Sequence, residues 1–363
     1  MSSPNICIGV IGAGAIGPSH IFAINQVEGC ELAAVCDIRP EAAAALAEEN
    51  GVPYFASIQD MLGAAAIDAA AIATPSGFHL EAALEVIEGG KHLLVEKPLE
   101  ITPERIDRII QAADRKGIKL AVVFQSRFGP VAQRLKRLFD KNVLGQVYAG
   151  SAYTKRYRTQ EYYDSAGWRG TWKVDGGGCL MNQGIHLLDL FTWFLGDVDE
   201  VIAITDNIGR NVEVETLALS LVKFASGAKG VIEGATLAYP ELPQYLEIFG
   251  SRGTVAFTSD KVLRMDLIDP THEEAAERDA LLALTNEHEA RDAAAKAARD
   301  VPAGTAIPSV DMGHTPVIAD FVEAIRQHRE PLANGPEARR AVELITAIYE
   351  SGRNNSKPVR LRS

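Results

Sequence analysis

Six residues near the amino terminus constrain the fold more than any others: Gly12-Ala13-Gly14-Ala15-Ile16-Gly17, a G-x-G-x-x-G run. They follow the apolar, β-branched stretch Ile6-Cys7-Ile8-Gly9-Val10-Ile11 and open a helical pattern. In that setting Gly12 permits a tight turn, Gly14 lets backbone approach a pyrophosphate, and Gly17 lets strand and helix pack closely. The backbone of Ala15 and Ile16 then lies at the helix N-terminus, where phosphates sit. Asp37 ends a second apolar run 20 residues after Gly17, where a carboxylate accepts from the ribose hydroxyls of NAD and repels a 2′-phosphate. With Ile38 beside it, Asp37 favours NAD over NADP, although Arg39 could accommodate that phosphate if Asp37 turned away.

Strand-like and helix-like segments keep alternating after this point. A helix over 40–50, strands near 53–55 and 69–73, a helix over 80–88, a strand into Glu96, a helix over 103–116 and a strand over 119–124 predict a doubly wound parallel sheet. Ligands of such sheets bind beyond the carboxyl ends of the strands. That rule picks out Thr74 and Pro75, then Glu96-Lys97-Pro98, then Gln125. Proline removes an N–H and restricts the residue before it, so Lys97 is held at a sharp turn, and a cis bond there is admissible. Lys97 is where chemistry is expected. His79, near the start of a helix at the same edge, reads as a packing or capping residue beside the cofactor.

From residue 145 the pattern changes to longer runs of period two. Segments 146–157, 198–206, 214–224, 229–238 and 245–249 read as strands, with Ala225-Ser226-Gly227-Ala228 a hairpin turn. The expected organisation is a dinucleotide-binding domain over 1–125 and an α+β domain over 126–363. The latter is built on one large open, mainly antiparallel sheet, with helices within 315–351 suited to pack back on the first domain. The exposed sheet face suits a homodimer or homotetramer interface.

Within this second half, Asp175-Gly176-Gly177-Gly178 opens onto a helical pattern reaching Leu195, which places Asn182 and His186 at i, i+4 on one face. Tyr157, Trp168 and Arg169, with Arg127 after the last strand of the first domain, offer the flat apolar faces and donors that a hydroxyl-rich substrate meets. Residues 271–300, with eight acidic and four basic side chains, read as a solvated helix or a lid. His314 reads equally well as structural or as substrate-adjacent.

A net charge of −12 argues against nucleic acid and anionic membrane as partners. Four cysteines form no C-x-x-C pair or cluster with histidine, which suggests no zinc site and points to reduced thiols in the cytoplasm. No leader or membrane-spanning pattern stands out.

Taken together, the fingerprint, Ala73-Thr74-Pro75, Gly90-Lys91-His92 leading to Glu96-Lys97-Pro98, and the glycine run leading to His186 resemble the Gfo/Idh/MocA oxidoreductase family over essentially the whole chain. The resemblance implies NAD(P)-dependent oxidation or reduction of secondary hydroxyls on sugars, inositols and related compounds, by dimers or tetramers joined through the open sheet. By position, Lys97 resembles the family's active-site lysine and His186 its catalytic histidine. There is one departure: inositol dehydrogenases carry Asp four residues before the histidine, and this chain carries Asn182, as do branches resembling nucleotide-sugar 3-dehydrogenases. The expected reaction is hydride transfer between a secondary carbinol and nicotinamide. His186 is the general acid/base, since its reference pKa of ~6.5 is near working pH; Lys97 polarises the oxygen and Asn182 orients it. The opposite assignment, Lys97 as base, stays open because burial would lower its pKa. The alternatives are a nucleotide-sugar 3-dehydrogenase drawing on Lys155, Arg156 and Arg158, a keto-sugar reductase, and a non-catalytic NAD(P)-binding sensor.

Overall fold

The computed structural model describes residues 4–298 and 313–361. The chain forms two compact units, one made of Met1–Gln125, Trp168–Gly176 and Pro308–Val342, the other of Ser126–Gly167, Gly177–Ile307 and Glu343–Ser363. The passage at Gln125 is one of several between the units.

In the first unit, β1 (Ile6–Ile11), α1 (Gly17–Gln26), β2 (Cys30–Cys36), α2 (Pro40–Asn50), β3 (Tyr54–Phe55), α3 (Ile58–Ala64), β4 (Ala69–Ile72), α4 (His79–Glu88), β5 (His92–Val95), α5 (Pro103–Lys116) and β6 (Leu120–Val122) alternate. The strands form a six-stranded sheet in the order β3-β2-β1-β4-β5-β6, every pair parallel. Ala69–Ile72 and Leu93–Val95 are wholly buried, as strands covered on both faces must be. Helix ends follow local chemistry. The Thr102 hydroxyl caps α5 by accepting from Arg105 N, Pro103 opens it, and Gly117 ends it in the left-handed region at φ 65°. Ile106 and Ile109 on its inner face are fully buried, each contributing roughly 1.5–3 kcal/mol. Strand order reverses between β1 and β4, which opens the ligand crevice at their carboxyl ends.

The second unit contains α6 (Pro130–Asp140), β7 (Val147–Lys155), α7 (Gln160–Asp164), a π-helical stretch (Cys179–Gly184), α8 (Ile185–Leu195), β8 (Val198–Asp206), β9 (Leu217–Phe224), β10 (Lys229–Ala235), β11 (Tyr245–Gly250), β12 (Gly253–Phe257), β13 (Val262–Leu267) and α9 (His272–Ala298). Back in the first unit lies α10 (His314–Gln327); α11 (Gly335–Arg353) and β14 (Val359–Arg360) end the chain. The second sheet runs β13-β12-β11-β7-β10-β9-β8-β14. It is antiparallel except for one pair, β7 and β10, so it is not the simple succession of hairpins that short turns suggest. Helix α8 lies on one face. A methyl group on Gly150 would meet Leu195 Cδ1 at 2.7 Å, and one on Gly230 would meet Phe191 Cζ at 3.0 Å, so glycines in β7 and β10 let the helix settle close. On the other face Ile202, Leu221 and Val231 stand in one cross-strand row, and Leu221 is 60% exposed.

The beginning of α9 is anchored. Glu273 pairs with Lys141, Glu274 with Arg252 and Glu277 with Arg134, Leu281 is buried, and Thr285 Oγ1 accepts from Val262 N at 2.8 Å. This part of 271–300 is a docked helix and not a free lid; residues 299–300 lie outside the described residues. No helix among the described residues is long and apolar enough to cross a membrane.

Candidate active site

The glycine loop has the form its sequence demands. Gly12 has φ 109°, and a methyl group there would lie 2.6 Å from Ala73 O, across the crevice between β1 and β4. Gly14 meets nothing within 4 Å, which leaves its backbone open to a ligand. Gly17 packs against the carbonyl of Gly12. Ala15 is exposed, and Ile16 O accepts from Ser19 N at the start of α1. Asp37 Oδ2 accepts from Ala13 N at 2.8 Å, while Arg39 donates to both carboxylate oxygens at 3.0 and 3.1 Å. Burial pushes Asp37 up, but these donors outweigh it and hold the carboxyl below its ordinary range. Ile38 beside it is 88% exposed.

Two more groups at this edge await a partner. Thr74 Oγ1, just past β4, and Gln125 Oε1, past β6, are buried and have no hydrogen bond among the described residues. An open cradle, a carboxylate at the end of β2 and two unsatisfied polar atoms fit a bound dinucleotide. His79 is different. It is fully buried, with Nδ1 2.9 Å from Pro98 O and Nε2 2.8 Å from Thr74 O. It ties the Thr74-Pro75 turn to the Lys97-Pro98 turn and has no surface to offer the cofactor.

Lys97 follows β5, and its bond to Pro98 is cis. Glu96, buried beneath it, receives His20 Nε2 at 3.0 Å and His314 Nε2 at 2.8 Å on the single oxygen Oε1, and Lys97 N at 3.1 Å on Oε2. Burial pushes the Lys97 ammonium below its ordinary pKa, while the carboxylates of Glu96 and Asp175 push it back up and Arg169 pushes it down. Asp175 is itself buried, its Oδ2 accepting from Gly170 N at 2.9 Å. The loop that carries Asp175 is held to the first unit by Gly77 N donating to Val174 O at 2.8 Å. Arg169 stacks on Trp168 at 4.7 Å in the same loop.

In the second unit the glycine run leads into the π-helical stretch and not directly into α8. Gln183 N reaches back to Gly178 O, an i to i+5 bond. Asn182 and His186 therefore span a change of helical pitch, where the sequence suggested two positions on one α-helix. Glu215, fully inside, accepts from Gly178 N at 2.8 Å and Leu180 N at 3.0 Å, and Tyr349 Oη donates to it at 2.7 Å. Met181 N in turn donates to Tyr349 Oη at 3.2 Å. These bonds take up backbone donors at the mouth of the helical turn. Asn182 Oδ1 accepts from Gln183 Nε2, which also reaches Tyr162 Oη. His186, the second residue of α8, is partly exposed.

Five expected substrate contacts have other partners. Arg127 is fully buried and donates to both oxygens of Asp189 at 2.7 Å, so it has no surface for a substrate. Tyr157 packs against Tyr239 at 5.0 Å under Arg210, in the second unit. Lys155 pairs with Glu233, and Arg156 and Arg158 both pair with Glu241. Sequence reasoning missed Asp175, Glu215 and Tyr349. Only Asp175, placed directly before the glycine run, carried a local signal.

Residues 6–124 match the model of the oxidoreductase family with an NAD-binding Rossmann fold, and residues 132–256 match the Gfo/Idh/MocA C-terminal domain. Among solved structures, the chain is similar to the WlbA dehydrogenase from Bordetella pertussis in complex with NADH and UDP-GlcNAcA. The two are 31% identical with a TM-score of 0.87, over 100% of this chain and 99% of that one. Among curated proteins, the D-glucoside 3-dehydrogenase of Escherichia coli is 34% identical over 54% of this chain and 56% of its own length. The myo-inositol 2-dehydrogenase of Thermotoga maritima is 27% identical over 68% of this chain and 74% of its own.

Proposed function

The chain belongs to the Gfo/Idh/MocA oxidoreductase family, and we propose that it moves a hydride between a secondary ring hydroxyl of a nucleotide-linked sugar and NAD. The observation that carries this reading is Lys97, a partly buried ammonium at the carboxyl end of β5 with carboxylates beside it. The end-to-end likeness to a dehydrogenase that binds UDP-GlcNAcA supports a nucleotide-linked substrate, and Asn182 in place of an ionisable aspartate supports a sugar over an inositol.

NAD, when bound, supplies the hydride acceptor. The backbone of Gly12 and Gly14 would face its pyrophosphate, Asp37 its ribose, and Thr74 Oγ1 and Gln125 Oε1 its remaining polar groups. Lys97 donates to the substrate oxygen and stabilises alkoxide character as the hydride leaves. His186 takes the hydroxyl proton, its ordinary pKa being the closer to neutrality. Asn182 fixes the orientation of that hydroxyl. The exposed apolar row on the second sheet supports assembly into a dimer or tetramer, and four free cysteines support a reducing cytoplasm.

The test is the appearance of reduced-nicotinamide absorbance with NAD or NADP and a panel of UDP-linked sugar acids, free pyranoses and inositols. NAD-dependent turnover of a UDP-linked sugar, abolished by Lys97→Ala and by His186→Ala, is expected. Tight NAD binding without turnover on any substrate would replace the enzyme with a sensor.

A further inference from the structure

We propose that His20 and His314 form a two-imidazole clamp that keeps Glu96 an anion beneath Lys97, making these three side chains the unit that sets the charge and angle of that lysine. This rests on Lys97 being the group that meets the substrate oxygen.

The geometry is specific. Both imidazoles deliver Nε2 to one oxygen, Glu96 Oε1, and the rings meet edge to face at 4.7 Å. The other oxygen accepts the backbone N–H of Lys97. An ionised carboxylate only accepts, so each Nε2 carries the proton. His20 Nδ1 is buried without a partner among the described residues, which is cheap for a lone pair and costly for an N–H. Burial holds the His20 imidazole below its ordinary pKa, keeping it neutral. Burial pushes Glu96 up, yet the hydrogen bonds from His20 and His314 prevail and hold it well below the carboxylate range.

The same side chains could in principle hold a divalent metal. A metal-bound histidine donates its other N–H to an acceptor, and His20 Nδ1 has none. The clamp accounts for that atom and the metal does not.

Charged groups acting on Lys97 include Glu96 next to it in the chain and Asp175 and Arg169 from the 168–176 loop; titratable groups acting on Glu96 include His20 from α1 and His314 from α10. Removing the Glu96 charge takes away the larger of the two carboxylate effects that oppose burial and Arg169. The Lys97 titration then moves to lower pH. The two histidines are positioning residues that act through Glu96.

The experiment is an NMR titration of the protein reductively methylated with 13C at its lysines, the Lys97 signal being the one lost in Lys97→Arg. Glu96→Gln is expected to lower the Lys97 midpoint by about one pH unit or more. The double variant His20→Ala/His314→Ala should move it in the same direction by less, and the limb of the kcat–pH profile that reports Lys97 should follow. Single His20→Ala serves if either variant melts below the titration temperature. An unmoved Lys97 midpoint in a folded variant overturns the proposal, as does one equivalent of divalent metal in the purified protein that His20→Ala removes. Since the titration is read without substrate, its failure and a failure of the proposed reaction are separate outcomes.

Discussion

Glu96 and Glu215 are both buried carboxylates that accept backbone N–H groups from a turn, yet their surroundings drive them in opposite directions. Glu96 is met by two imidazoles and sits well below the ordinary carboxylate range. Glu215 is met by two backbone N–H groups and a phenol; burial raises its pKa, and these donors do not bring it back. The first carboxylate supplies charge to a neighbouring ammonium. The second supplies acceptors to a helix mouth and supports backbone shape. A buried glutamate therefore tells little about a site until its donors are named.

If this contrast is right, the largest effects fall on the presented side chains. Lys97→Met and His186→Ala should each lower kcat by about a thousandfold, measured at saturating NAD and substrate. An unaltered kcat in either would remove that turn from the reaction. Next comes the backbone supported by Glu215. Gly178→Ala drives a methyl group into the Glu215 carbonyl and to 2.9 Å from Val214 Cγ2, and should cost about 2–3 kcal/mol in urea unfolding. Tyr349→Phe removes the donor to Glu215 and the acceptor of Met181 N, for about 1–2 kcal/mol.

The smallest effect is the sharpest on sign. A lowered folded pKa makes Glu96 contribute stability above its ordinary value of 4.5, lost as pH falls through the folded pKa. The melting deficit of Glu96→Gln should thus be full at pH 7 and shrink in acid. A raised folded pKa makes the Glu215 contribution complete below 4.5 and lost as pH rises through the folded value. Glu215→Gln should accordingly gain on the parent protein as pH rises. Parallel trends in the two variants would erase the contrast.

The two turns were not equally legible. Lys97 announces itself locally, since an apolar strand ending in Glu-Lys-Pro at the right distance from the glycine loop leaves little else to read. Glu215 lies 37 residues from Gly178 and 134 from Tyr349, and its partners are backbone N–H groups and one distant phenol, which leave no local pattern. The π-helical stretch is silent for a similar reason: Asn182 and His186 keep the same spacing whichever pitch lies between them. Arg127 shows the reverse failure, because a strand-end position does not say whether a guanidinium faces outward or, as here, toward Asp189. Period-two runs located five strands of the second sheet, but β12, β13 and the two-residue β14 are too short or too charged to stand out. The parallel pairing of β7 with β10 depends on partner choice across the chain, which local pattern does not encode.

The three-piece make-up of the first unit bears on how the protein is made. Ala333 O accepts from Val122 N at 2.8 Å and Asn334 bridges Ala121, so the outer edge of β6 is covered by residues synthesised some two hundred positions later. Until they emerge from the ribosome, that edge offers bare donors and acceptors to any neighbouring strand. His314 arrives in the same late stretch, so the clamp on Glu96 closes only after some two hundred residues beyond Glu96 have been made.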